Sequence, residues 1–150
     1  MTNWLIRVSD GKNFINSSKY KIWGIKKKNN NGAKNMLSNI KQGDKLWFIK
    51  SKSNGKVLAV ATYSSHNDRV LGPLINTTLT DEELGWEPNY LSTEWDTEIH
   101  YINLYNTSLC ELYTHITTPA GIVKETSECV LDLDIEYFYI TKYANITTTF

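Results

Sequence analysis

Trp23 stands in Lys19-Tyr-Lys-Ile-Trp-Gly-Ile-Lys-Lys-Lys28, between an apolar run and a basic loop, with Gly24 directly after it. An indole next to lysines suits a nucleobase. The ring offers a stacking face, and ammonium groups offer charge to phosphate. Lys26, Lys27 and Lys28 are the candidate phosphate contacts, and such contacts position a strand without reading its sequence. Trp86 has a similar setting, next to Gly85 at the end of a short element opened by Thr80-Asp-Glu-Glu83, which reads as a capping box. Trp4, Trp47 and Trp95 fall in strand-like runs and are expected in the core. Asn13 precedes a short apolar segment, where it can cap a helix or offer an amide to a ligand.

Other chemistry finds little support. Cys110, Cys129 and His115 fall short of a zinc set, which needs four ligands at suitable spacing, so no metal and no cofactor are expected. Ser64-Ser-His-Asn-Asp68 is a hydrolase-like fragment without a nucleophile elbow, a phosphate loop or a metalloprotease helix. Asp132, Asp134 and Glu136 read as a capping or solvated cluster. The chain is therefore expected to bind rather than catalyse.

The 150 residues suffice for one domain spanning 1–150 with a substantial core. Sixteen basic and sixteen acidic side chains give zero net charge, which argues against coating nucleic acid through bulk charge. Most lysines fall in residues 1–56, however, so one end can be basic. No apolar run approaches the ~18 residues of a membrane span and no signal-peptide core opens the chain. The expectation is a soluble, intracellular protein, and its Asn-X-Ser/Thr triplets are then chance matches.

These residues must be carried by a series of short elements. Trp4 to Val8 predicts a strand buried on both faces, Phe14 to Tyr20 a short helix, Ile22 to Ile25 a strand, and Ala33 to Ile40 a helix with Met36, Leu37 and Ile40 on one face, stopped by Gly43. Lys45–Lys50 and Lys56–Tyr63 predict paired strands around a turn at Ser51–Gly55. The small Ala59 and Ala61 suggest a close neighbour. Leu71 to Ile75 reads as extended, Trp95 to Tyr105 as a long strand and Ser108 to Ile116 as a short helix. Ile122-Val123 and Val130-Leu131 are weak strand signals. Asp134 to Tyr143 alternates like a strand yet suits a helix in part. The fold class is α+β, a strongly bent mixed or antiparallel β-barrel flanked by short helices.

Taken together, Trp4-Leu-Ile-Arg7, Ile22-Trp-Gly-Ile-Lys-Lys27, Ile40-Lys-Gln-Gly-Asp-Lys-Leu46 and Gly55-Lys-Val-Leu-Ala-Val-Ala-Thr-Tyr63 resemble an EVE domain of the PUA-like superfamily. The resemblance is densest over residues 3–63 and continues to about 143. The sister YTH domains, which hold N6-methyladenine in an aromatic cage, are similar in another way. Trp23 in Tyr20-Lys-Ile-Trp23 matches their first cage wall. Trp86 and Leu91, nine and four positions before Trp95, match the second and third, with Tyr90 a competing third wall. Asn13, ten before Trp23, matches the residue that hydrogen-bonds the base edge. Gly24 departs from the Ser or Cys usual in YTH domains and agrees with EVE domains; the loop over 64–85 is also longer and carries Gly72-Pro73.

The resemblance implies a module reading a modified base, N6-methyladenine or a modified cytosine, in RNA or DNA. Two indoles would sandwich the base and a third apolar wall would exclude water. The alternative is a small-molecule or protein-interaction module that uses the same pocket without nucleic acid. Steep weakening with salt marks the first and little change marks the second.

Overall fold

The computed structural model describes residues 1–50, 56–69, 79–86, 95–107, 122–124 and 132–143. In chain order the elements are β1 (Asn3–Arg7), α1 (Lys12–Ser18), β2 (Ile22–Ile25), α2 (Asn31–Asn39), β3 (Lys45–Ile49), β4 (Val57–Asp68), β5 (Thr97–Asn106), β6 (Ile122–Lys124) and α3 (Leu133–Tyr143). The class is α+β, as expected.

The six strands form one sheet in the order β2-β5-β4-β3-β1-β6. Only β1 and β3 run parallel, with Trp4 opposite Leu46 and Ile6 opposite Phe48; the other pairs are antiparallel. The barrel expected from sequence is left open: among the described residues β2 and β6 are edges that do not pair with each other. The sheet still curls so far that Ile25 of β2 and Ile122 of β6, at opposite edges, line one cavity. Bulges in the pairing of β4 with both its neighbours supply part of that bend.

Side chains alternate between two cores because successive strand residues point to opposite faces. Trp4, Ile6, Leu46 and Phe48 enter the larger core with Phe14 of α1 and Ala33 and Met36 of α2. Leu5, Trp47 and Ile49 point the other way, onto Leu133 and Ile140 of α3. This two-sided burial is why β1 and β3 read as unbroken apolar runs. The adjacent Ala59 and Ala61 are fully buried in the larger core.

Helix ends follow their local chemistry. Asn30 caps α2 by accepting from the Ala33 amide at 3.0 Å. That helix ends at Asn39, short of Gly43, which instead takes a left-handed turn. The ambiguous segment from 134 is helical. Asp132 accepts from the amides of Asp134 and Ile135 at 3.0 and 3.3 Å, so part of the acidic cluster is a cap. The Thr80–Glu83 box forms with both reciprocal bonds, but around a turn rather than a regular helix. The readings at 51–55, 71–75, 108–116 and 130–131, and the two cysteines and His115, lie outside the described residues.

Candidate base-binding site

Trp23 lies in β2, opposite Ile99 of β5, and is 6% exposed. Trp86, 63 residues along the chain, meets it edge-to-face with ring centroids 6.1 Å apart and an interplanar angle of 79°. The two indoles predicted from spacing therefore do converge. Their third neighbour is Trp95, 6.3 Å from Trp23 and 6.1 Å from Trp86. Leu91 and Tyr90, the sequence candidates for that wall, lie outside the described residues.

Trp95 corrects the sequence reading, which put it in a core strand. It falls two residues before β5 and stays partly exposed. The carboxylate of Asp96, the next residue, accepts from the backbone amides of Lys27 and Lys28 at 2.7 and 3.0 Å, while its carbonyl accepts from the Arg69 amide at 2.8 Å. Burial of Asp96 works against its charge, but those two amides, the Thr97 hydroxyl and the Lys27 charge outweigh it and hold the carboxyl below its ordinary range.

The three indoles are packed together. The space among Asn13, Trp23, Gly24, Trp86 and Trp95 is about 120 Å³ in all and too small to admit a water molecule. A parallel sandwich of a base between Trp23 and Trp86 is thus not the arrangement seen here. Gly24 shows why they can close so tightly. A Cβ on Gly24 would stand 2.6 Å from Cη2 and 2.8 Å from Cζ3 of Trp86, so the indole rests against bare backbone.

Trp86 is held from behind by Arg69, whose guanidinium carbon lies 4.9 Å from its ring centroid. The Arg69 side chain is 3% exposed and pairs with Asp81 at 2.7 Å and with the fully buried Glu98 at 3.5 Å. It also donates to the Leu79 carbonyl at 3.2 Å. Asn16 of α1 donates to the Gly85 carbonyl at 2.8 Å and so pins the turn that carries Trp86. The indole N–H of Trp86 is buried with no hydrogen-bond partner among the described residues.

The open space lies on the other side of Trp23. A cavity of about 480 Å³ occupies the gap between the sheet edges, a size usual for small-ligand pockets. Trp23, Trp95, Ile6, Ile25 and Ile122 supply apolar wall, and Asn13 reaches it from the first turn of α1. The N-cap of α1 is Gly11, so Asn13 is not the cap that its position also allowed. Among the described residues Arg7, Lys12 and Lys26 bring positive charge to the cavity against one carboxylate, Asp10. Sequence reasoning missed Arg7 and Lys12, which flank a turn whose path could not be read from spacing. Arg69 carried no local signal at all.

The lysine loop divides. Lys26 lines the cavity. The Lys27 ammonium instead bonds Asp68 at 2.8 Å, a contact that raises its pKa, so its charge is already engaged. Lys28 is exposed and does not line the cavity.

Among the described residues no three metal-ligating side chains cluster. No helix among them is long and apolar enough to cross a membrane. His66 sits on the exposed end of β4, where its Nδ1 meets the Tyr63 hydroxyl at 2.5 Å, and Asp68 is turned to Lys27.

No protein-family model matches the chain, and none of the curated proteins matches it. Solved structures similar to it include three from different organisms. One is a protein from Pseudomonas syringae, at 12% identity over 92% of this chain and 99% of that one, with a TM-score of 0.49. Another is a hypothetical protein from Leishmania major, at 17% identity over 95% and 93%, TM-score 0.49. The third is the YTH domain of the MRB1 protein of Zygosaccharomyces rouxii in complex with N6-methyladenosine RNA, at 14% identity over 97% and 89%, TM-score 0.49.

Proposed function

We propose that this chain is a nucleic-acid-binding module that accepts one modified base, such as N6-methyladenine or a modified cytosine, in the cavity beside Trp23. The observation that carries this reading is one juxtaposition. A base-sized cavity has two indoles, Trp23 and Trp95, in its wall, an amide, Asn13, at its inner turn, and Arg7, Lys12 and Lys26 around it. The base stacks on Trp23, a contact that contributes on the order of 1–3 kcal/mol. Trp86 backs Trp23 and keeps it in place. Asn13 reads the base edge, and the cations meet the adjoining phosphates.

A base must leave its stack to enter, so the substrate is an unpaired or flipped nucleotide. Burying one methyl contributes roughly 0.8 kcal/mol, about fourfold in affinity. An edge left unpaired in the wrong base costs about 1–3 kcal/mol more, so discrimination depends on Asn13 as much as on the indoles. No group in this reading performs catalysis.

Titration of short single strands with and without one modified base tests the proposal. Preference for the modified strand, lost in Trp23→Ala, is expected; equal affinity that Trp23→Ala leaves unchanged would sink it. The low exposure of Trp23 favours one second reading, a pocket for a free nucleobase-like ligand. In that case affinity barely changes with salt, whereas phosphate contacts make it fall steeply.

A further inference from the structure

A second cleft, of about 420 Å³, lies along the same edge of the sheet, walled by Thr2, Trp4, Asn35, Asn39, Lys41 and Lys124. It lies one step along β1 and β6 from the cavity beside Trp23. In the antiparallel pairing of β1 with β6, Ile6 stands opposite Ile122 and Trp4 opposite Lys124. The first of those pairs lines the cavity beside Trp23 and the second lines this cleft. Positions two apart on a strand share a face and lie about 7 Å apart. Helix α2 runs alongside both, with its cap Asn30 at the first cavity and Asn35 and Asn39 at the second.

The cleft is one-sided in charge. Lys41 and Lys124 are exposed, and no carboxylate lines the cleft among the described residues. The nearby Asp44 is 4% exposed and turned inward, where it accepts from the amides of Thr2 and Lys41 at 3.1 and 2.9 Å and from the Trp4 indole at 3.4 Å. Asn35 and Asn39 also line it, the Asn39 amide donating to the backbone and side-chain oxygens of Asn35 at 2.8 and 3.0 Å, and such amide groups are of the kind that bond base edges and sugars.

We infer that this cleft takes the next nucleotide, with that nucleotide's own phosphate, of the strand whose modified base occupies the first cavity. The inference rests on the reading of that cavity and adds a direction to it: the strand leaves along α2 and β6, past Lys124.

Calorimetric titration of two probes tests it. One is N6-methyladenosine monophosphate; the other is a single-stranded RNA heptanucleotide with a central N6-methyladenosine, with a 5-methylcytosine DNA strand run in parallel. Lys41→Gln with Lys124→Gln is expected to weaken the heptanucleotide about tenfold at 0.15 M salt and to lower its salt slope by about 1.4, two contacts at ~0.7 each. The monophosphate should bind the double variant as it binds wild type. Wild-type affinity and slope for the heptanucleotide in the double variant would overturn the subsite, while loss of both probes in Trp23→Ala would leave the cavity reading standing. If Trp23→Ala binds both probes normally, or wild type binds no strand, the cavity reading fails and the subsite falls with it.

Discussion

The indole of Trp86 rests on the backbone of Gly24, so closely that a Cβ there would stand 2.6 Å from Cη2. A side chain at position 24 must therefore push Trp86 away. Gly24→Ser is expected to cost about 1–3 kcal/mol, the usual penalty of overpacking. Urea unfolding followed by tryptophan emission measures it, and a cost near zero would mean that Trp86 does not depend on this seat.

Arg69 supports the other side of the same ring. Its replacement by Met keeps the bulk but leaves Glu98, which is fully buried, without its guanidinium partner. Breaking a buried pair from one side is destabilising by about 3–5 kcal/mol. Denaturation midpoints of Arg69→Met against wild type read that loss, and an unchanged midpoint would show that the pair does not support the fold.

Asp96 ties the basic loop to Trp95, and its pKa is depressed from 3.8 by the amides and hydroxyl it accepts from. A depressed carboxyl stabilises the fold fully above its unfolded pKa and loses that contribution as pH falls through the folded value. The loop is thus expected to hold at neutral pH and to loosen only below about pH 4, whereas Asp96→Asn loosens it at every pH. Hydrogen exchange of the Lys27 and Lys28 amides reads both effects. Unchanged protection in Asp96→Asn would show that the carboxylate does not hold the loop.

The lysines should not contribute equally to strand binding. Lys26 lines the cavity, while the Lys27 ammonium is engaged with Asp68. Neutralising Lys26 is expected to lower the salt slope by about 0.7, and neutralising Lys27 by less. Equal effects would mean that Asp68 releases Lys27 when the strand arrives.

Much of this arrangement is visible in the chain because local chemistry and tertiary role agree. Trp4 to Arg7 and Leu46 to Ile49 alternate between two cores, so both faces had to be apolar and the strands announced themselves. Trp23 and Trp86 each stand next to a glycine, and the structure brings them together across 63 residues. Trp95 was misread because its run of β-formers continues smoothly into β5. Asp96, which follows it, binds amides 68 and 69 residues away, a long-range contact that no local pattern shows. The 133–143 segment alternates like a strand, yet it folds as a helix because its Leu133 and Ile140 meet the apolar face left by Leu5 and Trp47. The Asp68 partner of Lys27, at the far end of an unexpectedly long β4, is 2.8 Å away in the fold but 41 residues away in the chain, so no sequence pattern pointed to it.

The five tryptophans allow the central claim, that Trp23 and Trp95 wall the base site, to be tested within one spectrum. Indole N–H signals of ¹⁵N-labelled protein would be followed while a short strand with one modified base is added. Trp47, fully buried with its N–H bonded to Asn3 at 2.9 Å, serves as the internal reference. The account expects the Trp23 and Trp95 signals to shift saturably while Trp47 stays fixed. Saturable binding that leaves both Trp23 and Trp95 unmoved would contradict it.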